Sequence, residues 1–190
     1  MRIISGKFKG RRLTSFKADH IRPTTDRVKE TLFNKLTGMI DGARVLDLFS
    51  GTGNLAIECL SRGAAHVDLV ENHRQSVTII RENLALLKIT EGYKVFPVDA
   101  FAYLKNYEGQ PYDLVIADPP FTRQWAHDLA LAVGASAALG PESIFVMEAS
   151  SKERMDSEYP GLNRLDRREF GDKHLIFFKQ ENHDQGHISR

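Results

Sequence analysis

The chain has 190 residues, 42% of them hydrophobic and 27% charged, which is enough for one buried core and too little for two full domains. No apolar run approaches the roughly 20 residues of a membrane span, and the opening MRIISGKFKG lacks an apolar signal stretch, so a soluble, cytoplasmic protein is expected. The formal net charge of +1 hides an asymmetry, because residues 1–35 hold ten Lys/Arg against three Asp/Glu while the rest of the chain is net acidic.

In chain order, RIISGKFKGRRL alternates apolar and basic residues around Gly6 and Gly10 and predicts a small β-hairpin. RPTTDRVKETLFNKLTG predicts a helix starting near Thr24 to Asp26, with Val28, Leu32, Phe33 and Leu36 facing inward and Gly38 ending it. From there β-rich runs alternate with helical ones. RVLDLF (44–49), HVDLVE (66–71), YKVFPVD (93–99), YDLVIAD (112–118) and SIFVMEAS (143–150) read as strands. NLAIECLSR, RQSVTIIRENLALLK, AFAYLKN and a long WAHDLALAVGASAAL read as the helices between them. Repeated β-α-β units with near-continuous apolar strands imply a mostly parallel sheet covered on both faces. LNRLDRREF and KHLIFFK, separated only by Gly171 and Asp172, then predict an antiparallel hairpin. The expected fold is therefore α/β: a Rossmann-like, mostly parallel seven-stranded sheet with a C-terminal antiparallel hairpin and a small N-terminal extension of hairpin and helix. The division expected is a basic extension over 1–40, a catalytic domain over 41–180 and a polar tail over 181–190.

Cys59, the single cysteine, excludes an internal disulfide and sits in the apolar stretch LAIECL as a buried, inert thiol. The seven histidines do not stand at metal-ligand spacing, so no metal is expected. The strongest local signal is VLDLFSGTGNLA (45–56), an acid near the end of a strand followed by a glycine-rich turn and a helix. Gly51 and Gly53 let the backbone approach a ligand, and Ala56 lets the helix pack closely on the sheet. A dinucleotide site uses a similar turn, so Asp47 decides: a carboxylate there repels a pyrophosphate and suits a cation, and S-adenosylmethionine carries an ammonium and a sulfonium. Glu71 at the end of the next strand can accept from ribose hydroxyls, and Asp99 from the adenine amino group, with the Ala100 backbone at the ring edge. Each acid alone could be a helix N-cap; three acids ending three consecutive strands weaken that explanation.

The fourth strand ends in Asp118-Pro119-Pro120-Phe121. Two prolines stiffen the loop and leave the Asp118 carboxylate and the Pro119 carbonyl as fixed acceptors. Exocyclic base amines are poor nucleophiles because their lone pair is delocalised into the ring. Two acceptors gripping the N–H hydrogens orient such a nitrogen and stabilise the charge that develops on it. Phe121 offers a face on which an extruded base can stack. Lys7, Lys9, Arg11 and Arg12 cluster in the basic arm, the footprint of a nucleic-acid binder, although a solvated charged face would explain the charges as well if they stood alone.

RIISGKFKGRRL, RPTTDRVKETLFN, LDLFSGTG, LVEN and IADPPF occur in order across roughly the whole chain, which resembles the RsmD family of bacterial 16S ribosomal RNA guanine-N2 methyltransferases. The resemblance implies transfer of a methyl group from S-adenosylmethionine to the N2 amine of a guanine in 16S ribosomal RNA or an assembling small ribosomal subunit, by a monomer. It implies cofactor contacts from Asp47, Gly51, Thr52, Gly53, Glu71, Asn72, Asp99 and Ala100, and catalysis by Asp118, Pro119, Pro120 and Phe121. RNA contact is implied for the N-terminal region, with Arg2, Lys7, Lys9, Arg11, Arg12, Arg22 and Arg27 as candidates. Thr24 and Arg27 are expected near the methionine end of the cofactor or the target base. Many relatives have Gly-Ser-Gly where this chain has Gly51-Thr52-Gly53, a change that preserves the turn. A DNA adenine-N6 or cytosine-N4 methyltransferase shares the DPPF chemistry but usually appends a recognition domain, for which the 69 residues after Phe121 leave little room. A catalytically idle RNA-binding assembly factor would need neither the acids nor DPPF. Protein glutamine methylation fits NPPY better than DPPF.

Overall fold

A computed structural model describes residues 1–14 and 26–180. The sheet forms from β1 (Arg44–Leu48), β2 (His66–Val70), β3 (Tyr93–Phe96), β4 (Tyr112–Ala117), β5 (Leu139–Ser150), β6 (Glu158–Tyr159), β7 (Leu162–Phe170) and β8 (Lys173–Gln180). Its order is β3-β2-β1-β4-β5-β8-β7-β6. Pairings from β3 through β5 are parallel and those from β5 through β6 antiparallel. This is the Rossmann-like methyltransferase fold expected, with one strand more than the seven read from the sequence: the two-residue β6 carries no run long enough to be recognised.

The helices are α1 (Asp26–Lys35), α2 (Asn54–Ser61), α3 (Arg74–Leu86), α4 (Ala100–Lys105) and α5 (Ala126–Gly134). Near-continuous apolar strands bury residues on both faces, and two cores result. Val45, Val67, Leu114 and Phe177 pack under α1, α2 and α3. Leu46, Leu48, Val115, Phe145 and Phe178 pack under α4 and α5. Ile3, Leu13, Leu32, Phe33 and Leu36 belong to the first core, so the boundary drawn near residue 40 does not coincide with a break in packing.

The arm closes as a minimal hairpin, in which the antiparallel bridge of Arg2 with Arg12 is flanked by bonds from Ile3 N to Arg11 O at 2.9 Å and from Leu13 N to Met1 O at 3.1 Å, while Ile4, Ser5, Lys7 and Phe8 donate to α2. Two local expectations are revised. The helix read over WAHDLALAVGASAAL stops at Gly134, where Ser136 Oγ donates to Val133 O at 2.8 Å and so takes up a carbonyl of the last turn. β5 begins earlier than Ser143, at Leu139, across an irregular register opposite Tyr112 and Leu114. Gly171 and Asp172 form the predicted tight turn, with Phe170 paired to Lys173.

Candidate active site

β1 leads through α2 to β2 and through α3 to β3 on one side, whereas β4 and β5 lie on the other. The crevice above the carboxyl ends of β1 and β4 is thus the switch point at which open α/β sheets bind ligands. Both sequence motifs open into it. The Asp118 N–H donates to Leu48 O at 3.4 Å, joining the Asp118–Phe121 loop to the start of the glycine turn.

The glycine turn requires left-handed backbone at Gly51 (φ 56°) and Gly53 (φ 78°), and Phe49 adopts it too (φ 60°). A non-glycine residue there is strained, a condition that gathers at ligand sites. Gly53 has no side chain with which to cap α2. Asp47 does that work from β1, its Oδ2 accepting from Ala56 N at 3.1 Å. Asp47 is only 1% exposed; burial raises its pKa to about 7, against the opposing hydrogen bond from Ala56. It lies beneath the turn, where it can act on a ligand through its charge and not by exposed contact. Glu71 reaches across, with Oε2 accepting from Gly51 N and Oε1 from His73 N, each at 2.8 Å. Asp99 lies three residues beyond the end of β3 and not at its end, and caps α4 by accepting from Ala102 N at 3.0 Å. The capping role and the ligand role are compatible, because a carboxylate offers about four lone-pair sites. Asn72 is exposed, Thr52 and Ala100 buried. Two accessible carboxylates, a buried one beneath them and a glycine-built turn form a donor set that fits a cationic ligand with vicinal hydroxyls.

On the other rim, Pro119 is buried and Pro120 (φ −64°) leads into a single 3-10 turn, Phe121–Arg123. Phe121 is half-buried, with the Lys173 ammonium 5.0 Å from its ring centroid. Lys173 is itself ion-paired with Glu148, and both are buried. Phe49, Phe101 and Trp125 form an aromatic cluster, with centroids 5.7 to 6.3 Å apart, that links the glycine turn, α4 and the segment after Phe121–Arg123. Sequence reasoning singled out none of Phe49, Trp125, Glu148 or Lys173 for the site. The one available signal was Glu148, an acid inside an otherwise apolar run.

The arm is held by buried polar contacts. Glu58 on α2 accepts from Ile4 N at 2.8 Å and Ser5 N at 3.0 Å, and pairs with Lys29 and Arg62 at 2.8 Å each. Lys29, whose pKa is lowered by burial against the raising effect of Glu58, also donates to Arg2 O and Asn54 Oδ1. Asn83 bonds both to Thr14 and to Thr52 O in the glycine turn. Lys7, Lys9, Arg11 and Arg12 remain exposed. Arg2 pairs with Asp26 at 2.9 Å, and Arg27 lies 6.0 Å from the ring of Phe170, the residue paired with Lys173 across the hairpin turn. Arg22, Thr24 and the tail 181–190 fall outside the described residues. Among the described residues no cluster of three or more His, Cys, Asp or Glu could hold a metal, and no helix is long and apolar enough to cross a membrane.

A model of the family described as Conserved hypothetical protein 95 matches residues 1–179. The chain belongs to this family. Its members include the relatives that the five motifs resemble. Over 123 residues the chain is 43% identical to Ribosomal RNA small subunit methyltransferase D of Escherichia coli K12, covering 65% of this chain and 61% of that relative. That is less than two thirds of the relative's length. It is also 40% identical over 128 residues to a Bacillus subtilis protein described as a candidate rRNA methyltransferase, spanning 65% of this chain and 68% of the relative. A solved Escherichia coli structure described as a candidate methyltransferase superposes with a TM-score of 0.84 at 32% identity, covering 95% of this chain and 98% of the other.

Proposed function

We propose that this family member transfers a methyl group from S-adenosylmethionine to the exocyclic N2 amine of a guanine in small-subunit ribosomal RNA. The observation that carries the reading is the Asp118–Leu48 hydrogen bond, which fixes an acceptor-rich, proline-stiffened loop at the mouth of a crevice whose other wall suits a cationic ligand. The relatives named as ribosomal RNA methyltransferases support the substrate class.

Asp47, Glu71, Asp99 and the glycine turn would hold the cofactor, which when bound supplies an electrophilic methyl group. Glu71 and Asp99 would accept from its hydroxyl and amino groups, and the Asp47 field would favour its positive charge. Asp118 and the Pro119 carbonyl would grip the amine hydrogens and turn the nitrogen lone pair toward the methyl group. Fixed alignment of this kind contributes up to ~7 to 11 kcal/mol in well-oriented systems. Phe121 would stack on the extruded guanine, and Lys7, Lys9, Arg11, Arg12 and Arg27 would engage phosphates.

The test offers radiolabelled S-adenosylmethionine with naked ribosomal RNA, immature small subunits and duplex DNA, followed by digestion and identification of the labelled nucleoside. N2-methylguanine from either RNA substrate is the expected product. A labelled adenine or cytosine from DNA would establish the DNA amino-methyltransferase reading, and no label in any substrate an idle assembly factor.

A further inference from the structure

Glu148 and Lys173 close the floor behind Phe121. In the parallel register of β4 and β5, Ala117 pairs with Met147, so Glu148 is the neighbour of Asp118. Lys173 opens β8 immediately after the Gly171-Asp172 turn, opposite Ser150. Their ion pair is buried, and the ammonium faces the Phe121 ring at 5.0 Å. A buried ion pair is a poor device for stabilising a sheet, because apolar residues of similar volume often serve equally well or better. At this place charge does something that apolar residues would not: the ammonium holds one face of the ring by a cation–π contact, while the carboxylate cancels the charge it would otherwise present to the site.

We infer that the Glu148–Lys173 pair is a positioning device for Phe121, engaging one face of the ring so that the other is offered to an electron-rich base. The inference rests on the reading of Phe121 as the stacking residue. Because the pair is neutral, it does not oppose the positive charge that develops on the amine during methylation. Both residues act through Phe121 and not on the substrate.

The test replaces the pair by neutral side chains of similar volume, Glu148→Gln with Lys173→Met, in the full chain. It compares that variant with Phe121→Ala and with the triple variant in steady-state methylation of ribosomal RNA. The pair variant should lose about 10- to 30-fold in kcat/KM, chiefly through KM for RNA, with cofactor affinity unchanged. The triple variant should be no worse than Phe121→Ala. Full activity in the pair variant, or losses that multiply in the triple variant while Phe121→Ala is itself impaired, would overturn the positioning role and leave the stacking role standing. A fully active Phe121→Ala overturns both. Should the pair variant fail to fold, mono-, di- and trifluorophenylalanine at position 121 weaken the cation–π contact at nearly constant shape. Stepwise loss of kcat/KM supports the inference. Constant or rising activity overturns it, since an electron-poorer ring stacks on guanine no less well.

Discussion

Asp47 and Asp118 stand at the ends of neighbouring strands and carry different burdens. Asp118 faces the reacting amine in the proposed chemistry, so Asp118→Ala should lower methyl transfer by about 10²- to 10³-fold, the usual effect of removing one preorganised polar group. Cofactor affinity in calorimetry should change little. Asp47 is buried with its pKa raised to about 7, so the folded state holds that proton more tightly than the unfolded chain does. Its contribution to stability is therefore complete below pH ~3.9 and lost as pH rises through about 7. Asp47→Asn keeps an acceptor for Ala56 N and removes the charge. Urea titrations should find it more stable than wild type at pH 8, by up to ~4 kcal/mol, and nearly equal at pH 4. Cofactor affinity should fall in the same variant, a trade of binding for stability that Asp118→Ala should not show.

At the scale of elements, the contact between the arm and α2 is built on Glu58, which satisfies two backbone amides as well as two cations. Lys29→Met alone takes one cation from that carboxylate, which keeps Arg62 and the two amides, and should cost less than the about 3 to 5 kcal/mol of an uncompensated buried charge. Adding Glu58→Leu should lower the temperature of thermal unfolding further, because Ile4 and Ser5 are left with unsatisfied donors worth about 1 to 3 kcal/mol each. Recovery instead would mean that water replaces those bonds. None of this was legible in the sequence, where Glu58 and Lys29 look like ordinary charges on amphipathic helices. The strands were legible because their apolar runs are bounded by turn residues, and the glycine turn and DPPF because their chemistry is local. Asp47 was legible as a position but not in its capping of α2, and the Glu148–Lys173 pair joins residues far apart in the chain.

For the whole molecule, charge is the organising quantity. Lys7, Lys9, Arg11 and Arg12 are exposed on an arm whose other side is bonded to α2, so replacing all four with Gln should leave folding and cofactor affinity nearly unchanged. RNA titrations at several ionic strengths should find weaker binding, most of all at low salt, and a log–log salt slope shallower by up to about 3 to 4 units. The choice of guanine should survive, since phosphate contacts carry no sequence information. An unchanged slope would place the RNA elsewhere. The order of the sheet has a consequence of another kind. β8 is the last strand among the described residues, yet it lies between β5 and β7, in the interior. During synthesis on the ribosome, residues up to 172 can form the parallel half of the sheet, but β5 keeps an open edge and Glu148 an unmatched charge until β8 emerges. This closure joins Ser150 with Lys173 and Ile144 with Lys179, and it completes the floor under Phe121 in the same event that seals the edge, so a nascent chain acquires its full substrate site only when its sheet is already protected.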